Sequence, residues 1–154
     1  MFKILLVCTG NTCRSPMAAA LLAHRAAQAN MADSVSVESA GLAACRQPAS
    51  APARAVMRQA GLNLDNHISQ QLEPAQAEAA DLVLTMTAAH KRAVLGMAPG
   101  AAAKVYTLAE FAGQTGDVPD PFGGSEAEYQ NCASQLDKLL TGCWEKIVTL
   151  AGKK

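Results

Sequence analysis

The sequence predicts an α/β fold: a single doubly wound domain over residues 1–154, with a central four-stranded parallel sheet flanked by helices on both faces. The chain has 154 residues, which is enough for one compact core. Half of the residues are hydrophobic and only 17% are charged, as is typical of a globular protein. Short apolar runs alternate with longer helical segments, which indicates strand–helix–strand units with ligands at the carboxyl edge of the sheet.

The first strand and the first helix are predicted from the amino-terminal residues. Residues 2–7 form an apolar run interrupted only by Lys3, which predicts a strand buried on both faces. Ser15 followed by Pro16 predicts the N-cap and the first position of a helix that runs to about Ala29.

The rest of the chain continues the alternation. Short apolar runs predict strands, and segments of high helix propensity predict helices. In order, these are a strand at 35–37, a loop at 40–52, helices at 52–60 and 73–80, a strand at 81–86, a helix capped at 87 that runs to about 95, a strand at 105–108, a loop at 113–124 and a helix at 125–150. The loops after residues 7, 37 and 108 should converge at the carboxyl edge of the sheet.

Charge and cysteine usage exclude several classes of protein. The formal net charge is zero and the basic residues are scattered, so we expect no nucleic-acid partner. No run approaches the roughly 20 apolar residues of a membrane span, and the amino end does not read as a signal peptide, so we expect a cytoplasmic protein without membrane contact. We also expect it to be a monomer. Five cysteines at irregular spacing indicate free thiols rather than a disulfide framework or a metal site.

The segment Cys-Thr-Gly-Asn-Thr-Cys-Arg-Ser-Pro at 8–16 lies at the predicted strand-to-helix turn. Backbone N–H groups at such a turn can surround a phosphate, and the helix dipole adds positive potential. The same field favours the nucleophilic thiolate of Cys8, and the planar fork of Arg14 can bind two phosphate oxygens. The predicted phosphate-binding residues are Thr9, Gly10, Asn11, Thr12, Cys13, Arg14 and Ser15.

Three residues of this segment suit a tight phosphate-binding turn. Gly10 permits a positive φ, and Asn11 is one of the few other residue types that tolerate a left-handed conformation. The Ser15 hydroxyl can cap the helix and can also hydrogen-bond the Cys8 thiolate.

A leaving group needs a proton, and the carboxylates of the loop at 113–124 can supply one. Two prolines stiffen this loop, which could hold Asp117 or Asp120 near the phosphate. The same carboxylate would then activate water for the second step. Spacing alone leaves both aspartates open.

At these residues the sequence resembles the low-molecular-weight protein-tyrosine phosphatase family, whose signature pairs a Cys-x5-Arg-Ser-Pro loop with a later Asp-Pro. The resemblance spans essentially the whole chain. It implies a metal-free, cofactor-free enzyme that dephosphorylates protein side chains through a phosphocysteine, with Cys8 as nucleophile, Arg14 as phosphate ligand and Asp120 as acid. The residues that it implies as hydrogen-bonding support for the loop are Asn11, Ser15, Ser39 and His67.

Thr12 bears on the choice of substrate. Tyrosine phosphatases of the family typically carry an aliphatic residue at this position, whereas members similar to bacterial protein-arginine phosphatases carry threonine. Phosphotyrosine is the family default, and Thr12 raises phosphoarginine as a strong alternative. Phe122 can stack on either a phenol ring or a guanidinium plane, so it does not decide between them.

Two other functions compete with dephosphorylation. A thioredoxin-coupled arsenate reductase resembles this fold and loop but needs a further cysteine pair past the middle of the chain, and residues 61–104 contain no cysteine. A phosphate- or phosphoprotein-binding module without catalysis would need no acid, yet both nucleophile and acid are present.

The remaining polar candidates are expected to play no part in catalysis. Cys13 is either a redox guard for Cys8 or simply packed. We expect inert thiols at Cys45, Cys132 and Cys143. We expect His24, His90 and Tyr129 at the surface and Trp144 in the core.

Overall fold

A computed structural model describes residues 1–154, and its four strands form one parallel sheet. The strands are β1 (Phe2–Cys8), β2 (Val35–Gly41), β3 (Leu82–Thr85) and β4 (Val105–Thr107). The helices are α1 (Arg14–Gln28), α2 (Ala51–Gln59), α3 (Pro74–Ala79), α4 (Ala88–Met97), α5 (Leu108–Phe111) and α6 (Glu126–Gly152), with a 3₁₀ turn at Pro99–Lys104. The sheet order β2-β1-β3-β4 confirms the predicted doubly wound α/β fold.

The two faces of the sheet bury two separate cores. Ile4 and Leu6 of β1 belong to the larger core, which also takes side chains from α1, α2 and α6. Leu5 and Val7 belong to the smaller core with side chains from α3 and α4. This alternation follows from the two-residue period of a strand, and it explains why β1 reads as one continuous apolar run.

The order of the strands reverses at β1. The chain leaves β1 to form β2 on one side and later crosses to β3 on the other side. Loops that leave the carboxyl ends of the strands at such a point diverge and open a crevice between them. The loop at residues 8–14 therefore lies at the topological switch point of the sheet.

The capping prediction at Thr87 holds for α4, and the one at Ser15 fails for α1. Thr87 caps α4 and Ser125 caps α6, and in each case the side chain accepts from a backbone N–H three residues later. Helix α1 instead begins at Arg14 with Cys13 at the N-cap, and no side chain caps it. The predicted cap role of Ser15 is wrong, because its hydroxyl is directed at Cys8.

Strand β2 is longer than the apolar run at 35–37 indicated. Its polar and small residues continue the parallel pairing with β1, so that Ser39 lies opposite Leu6 and Gly41 opposite Cys8. This extension carries Ser39 to the switch point beside the loop at 8–14. No helix of the structure is long and apolar enough to cross a membrane.

Candidate active site

A cavity of about 230 Å³ opens at the carboxyl end of β1. It is lined by residues 8–14, Ala43, Cys45, Gln47, Asp120 and Phe122. The loop after β1, the loop after β2 and the loop at 113–124 thus meet at one site. Of the predicted phosphate-binding residues, Ser15 alone stands outside the lining.

Asn11 is the centre of a buried network that shapes the loop. Its φ is 57°, as expected for a residue that tolerates the left-handed region, and its side chain is fully buried. Its Nδ2 donates to Ser15 Oγ at 2.8 Å and to Ser39 Oγ at 2.9 Å. Its carbonyl oxygen lies 2.7 Å from His67 Nε2, which therefore carries the proton, and its Oδ1 accepts from Gln70 N at 3.0 Å. The structure brings the four predicted support residues together and adds Gln70.

At this site glycine matters because it has no side chain, and not because it allows a positive φ. Gly10 has no positive φ, so the prediction for it is wrong, and the left-handed turn falls at Asn11 alone. Gly41, at the end of β2, is packed so closely on the loop that an added Cβ would lie 2.6 Å from the Thr9 carbonyl oxygen. Only a residue without a side chain fits at Gly41 without moving the loop.

The Cys8 sulfur is buried and meets two hydrogen-bond donors. The backbone N–H of Asn11 donates to Sγ at 3.3 Å, and the Ser15 hydroxyl lies 2.9 Å from it. Because Ser15 Oγ already accepts from Asn11 Nδ2, its own hydrogen is free to point at the sulfur. Both groups are directed at the sulfur from the wall of the loop.

Arg14 is buried beside the cavity, and its guanidinium is held in place from the loop at 113–124. Its Nη1 donates to the carbonyl oxygen of Val118 at 2.9 Å, and its Nη2 lies 3.6 Å from Asp120 Oδ2. The planar group is therefore oriented before any phosphate arrives.

The two aspartates of this loop occupy different places. Asp120 Oδ1 accepts from the backbone N–H of Phe122 at 3.0 Å, and its half-exposed carboxylate lines the cavity. Asp117 Oδ1 accepts from Ala88 N at 2.9 Å at the start of α4 and does not line the cavity. Of the two aspartates that spacing left open, only Asp120 lines the cavity.

His90 was expected at the surface, and this prediction is wrong. Its side chain is buried in the first turn of α4, where Nε2 is hydrogen-bonded to Thr9 Oγ1 at 2.8 Å. Burial, together with the positive charge of Arg14, lowers the pKa of His90 to about 4. One feature of the sequence could have placed His90 near the site: it follows the carboxyl end of a predicted strand by about one helical turn.

Tyr129 was also expected at the surface, and it is buried as well. Its hydroxyl lies 3.2 Å from Cys13 Sγ, and burial raises the pKa of Tyr129 to about 12. Cys13 Sγ also lies 3.5 Å from Ser50 Oγ. Tyr129 faces inward because α6 packs against α1 beside the loop.

The other thiols divide by exposure. Burial raises the pKa of Cys132 to about 11 and that of Cys143 to about 12, which fits the expected inert packing. Cys45 is exposed and lines the cavity. All five cysteines are free.

The two residues predicted to affect specificity both line the cavity. Thr12 is half-buried, and its carbonyl oxygen accepts from Ser50 N at 3.0 Å, which ties it to the start of α2. Phe122 is 74% exposed, so its ring is available to an incoming side chain.

Comparisons with known proteins show the family and the fold. The sequence model of the family described as low molecular weight phosphotyrosine protein phosphatase matches residues 3–150. A protein-arginine-phosphatase of Geobacillus stearothermophilus is 40% identical, over 96% of this chain and 97% of its own length. A low molecular weight protein-tyrosine-phosphatase of Streptomyces coelicolor is 35% identical, over 92% and 90%. The crystal structure of a YwlE mutant from Bacillus subtilis superposes with a TM-score of 0.89 at 38% identity, over 96% of this chain and 99% of that one.

Proposed function

Because the chain belongs to the low molecular weight phosphotyrosine protein phosphatase family, it is a cysteine-dependent protein phosphatase, and we propose that its preferred substrate is phosphoarginine. The observation that carries this proposal is Thr12, whose hydroxyl-bearing side chain lines the cavity. Relatives at 40% and 42% identity are named protein-arginine-phosphatases, which supports the same choice.

The cavity offers a hydrogen-bond acceptor that a guanidinium group needs and a phenol does not. A phosphoarginine side chain brings several N–H donors to the mouth of the site. Thr12 Oγ1, on the wall of the cavity, can accept from one of them. An aliphatic residue in place of Thr12 would leave one of these donors without a partner, and buried unpaired donors discriminate strongly between substrates.

In the proposed first step, Cys8 Sγ attacks the phosphorus, and the bond from phosphorus to the substrate nitrogen breaks. Arg14 binds two phosphate oxygens and follows them into the trigonal transition state. Asp120 donates its proton to the departing nitrogen, and Oδ2 is the atom available for this because Oδ1 is held by Phe122 N. The products are a free arginine side chain and a phosphocysteine.

In the proposed second step, the Asp120 carboxylate takes a proton from water, which attacks the phosphocysteine. The S–P bond breaks, and the electron pair returns to Cys8 as a thiolate. The Ser15 hydroxyl at 2.9 Å and the Asn11 N–H at 3.3 Å stabilise that charge as it forms. Inorganic phosphate then leaves the loop.

Phosphotyrosine is the second candidate substrate. The exposed ring of Phe122 is compatible with it, because a phenol ring can stack there as a guanidinium plane can. The relative from Streptomyces coelicolor, named a protein-tyrosine-phosphatase, supports the same alternative.

The monomeric and cytoplasmic state expected from the sequence stays a prediction. Light scattering on the purified protein would test the oligomeric state, and fractionation of cells would test the location.

The decisive experiment is the ratio of kcat/KM on phosphoarginine and phosphotyrosine peptides of matched sequence, measured without added metal. We expect the wild-type ratio to favour phosphoarginine by at least about 100-fold. Thr12→Ile should reverse the preference or reduce it at least about tenfold, while Thr12→Ser, which keeps the hydroxyl, should retain it. A wild-type preference for phosphotyrosine would overturn the proposal.

A further inference from the structure

We propose that His90 is a positioning residue of the phosphate-binding loop. The hydrogen bond between its ring and the Thr9 hydroxyl holds Thr9, the residue next to the nucleophile, in place. Sequence reasoning and the family signature both leave His90 outside the site. The proposal depends on the role given above to residues 8–14 as the phosphate cradle, and it does not depend on which phosphorylated side chain is the substrate.

Thr9 connects the two sides of the switch point. Its carbonyl oxygen accepts from Ala43 N at 2.8 Å, which joins it to the chain just after β2. Its Oγ1 is hydrogen-bonded to His90 Nε2 at 2.8 Å, which joins it to α4 beyond β3. Thr9 itself is exposed, so no packing would replace the second connection if the ring were lost.

The environment of His90 makes Thr9 the only polar partner of its ring. The side chain is 7% exposed, and its Nδ1 is buried without a hydrogen-bond partner. A satisfied core histidine would use both ring nitrogens. The structure leaves one nitrogen unpaired and directs the other to the loop, so the orientation of the ring and that of the Thr9 side chain depend on each other.

The ring also has to act without charge. The charged groups that influence it are Arg14, which disfavours its protonation, and Asp117 and Asp120, which favour it. Burial and Arg14 prevail, so the imidazole is neutral at neutral pH. A neutral ring can hold Thr9 without competing with Arg14 for Asp120 or for the substrate phosphate. A lysine at this position would place a second cation against that pair.

The test measures phosphate binding in the full-length enzyme as the inhibition constant of inorganic phosphate against hydrolysis of an aryl phosphate. His90→Leu keeps an apolar side chain in the space, and Thr9→Val keeps the shape of threonine without the hydroxyl. We expect each to weaken inhibition by phosphate about 5- to 20-fold and to lower kcat/KM by a similar factor. The double variant should be no worse than either single one, because both remove the same bond.

Two further variants serve as rescue and control. Thr9→Ser retains the hydroxyl and should stay within about threefold of wild type, since the bond to His90 can still form. His24→Leu replaces an exposed histidine on α1 and should change neither constant. Circular dichroism on every variant identifies any that fails to fold, and Thr9→Val then carries the test because Thr9 is exposed.

The outcomes separate the proposal from its alternatives. If His90→Leu and Thr9→Val lower only the melting temperature and leave both constants unchanged, His90 is a packing residue and the proposal is overturned. Additive losses in the double variant would also overturn it. If the wild-type enzyme prefers phosphotyrosine, the proposed substrate fails while these measurements on phosphate and an aryl phosphate still decide the role of His90.

Discussion

The loop at residues 8–15 and the loop at 113–124 meet at one cavity but are held in opposite ways. In the first loop, Cys8, Asn11 and Ser15 are buried and are joined by hydrogen bonds of 2.8 to 3.3 Å. In the second loop, Asp120 is half exposed and has one backbone bond, from Phe122 N. The residues proposed as nucleophile and phosphate ligands are therefore positioned by folding, whereas the proposed acid remains open to water.

The second loop is anchored to the rest of the site at Val118. Val118 is fully buried, its N–H donates to the Met86 carbonyl oxygen at 2.9 Å, and its own carbonyl oxygen accepts from Arg14. Beyond it the chain turns outward to Asp120. This division suits a carboxylate that must give a proton to a leaving group and then take one from water, because both exchanges need access to the solvent.

In the loop at residues 8–15, the largest effect on activity is expected from the sulfur of Cys8. We expect Cys8→Ser to lower kcat at least about 10⁴-fold, because an alcohol does not supply an anionic nucleophile at neutral pH. Binding of inorganic phosphate, measured by calorimetry, should remain because the backbone cradle is intact. Cys143→Ala, which removes a buried thiol away from the cavity, should retain activity, and comparable losses in both variants would contradict the role of Cys8.

In the loop at 113–124, activity is expected to depend on the carboxylate of Asp120. Asp120→Asn should lower kcat on phosphorylated peptides about 10²- to 10⁴-fold, because the leaving group no longer receives a proton. The matched change Asp117→Asn should have little effect, since an amide oxygen can still accept from Ala88 N. Steady-state kinetics on both variants is the measurement. A greater loss from Asp117→Asn would assign the acid role to the other aspartate.

The rigidity of the first loop can be measured as stability. Asn11→Ala should lower the free energy of unfolding by about 3 to 4 kcal/mol, because it leaves buried partners unpaired and forces alanine into the left-handed region. Asn30 has the same φ of 57° but is exposed, so Asn30→Ala should cost only about 1 to 2 kcal/mol. Equal losses in urea denaturation would show that the side-chain network of Asn11 adds nothing.

The pKa of His90 predicts how the stability of the protein responds to acid. Its folded pKa of about 4 lies below the ordinary value of 6.5, so the unfolded chain binds the proton first as the pH falls. Stability should therefore drop by up to about 3 kcal/mol between pH 6.5 and pH 4, with no contribution above that range. His90→Gln should flatten this part of the profile relative to wild type, and His24→Gln should not.

The sequence was sufficient for the parts of the site that are contiguous or locally patterned. Cys8 and Arg14 lie in one segment at a strand-to-helix turn, and the doubly wound parallel fold follows from the alternation of strands and helices. Gln70 and His90 could not be placed in this way, because they meet Asn11 and Thr9 across 59 and 81 residues of chain. Only the folded chain brings these residues into contact.

The incorrect local predictions have physical reasons of the same kind. Serine before proline is a good helix start, but at Ser15 the hydroxyl is engaged by Cys8 and Asn11. Tyr129 lies on a helix whose polar neighbours suggest exposure, yet α6 presents it to Cys13. In each case a tertiary partner prevails over a local preference.

The contact between Gly41 and the loop constrains how this protein can evolve. A methyl group at Gly41 would lie 2.6 Å from the Thr9 carbonyl oxygen and 3.0 Å from Asn11. No single substitution there escapes the clash, so a lineage that lost this glycine would need a compensating rearrangement of residues 9–11 at the same time. Gly41 and residues 9–11 are therefore epistatically coupled, and a side chain at position 41 requires a change in the loop at the same time.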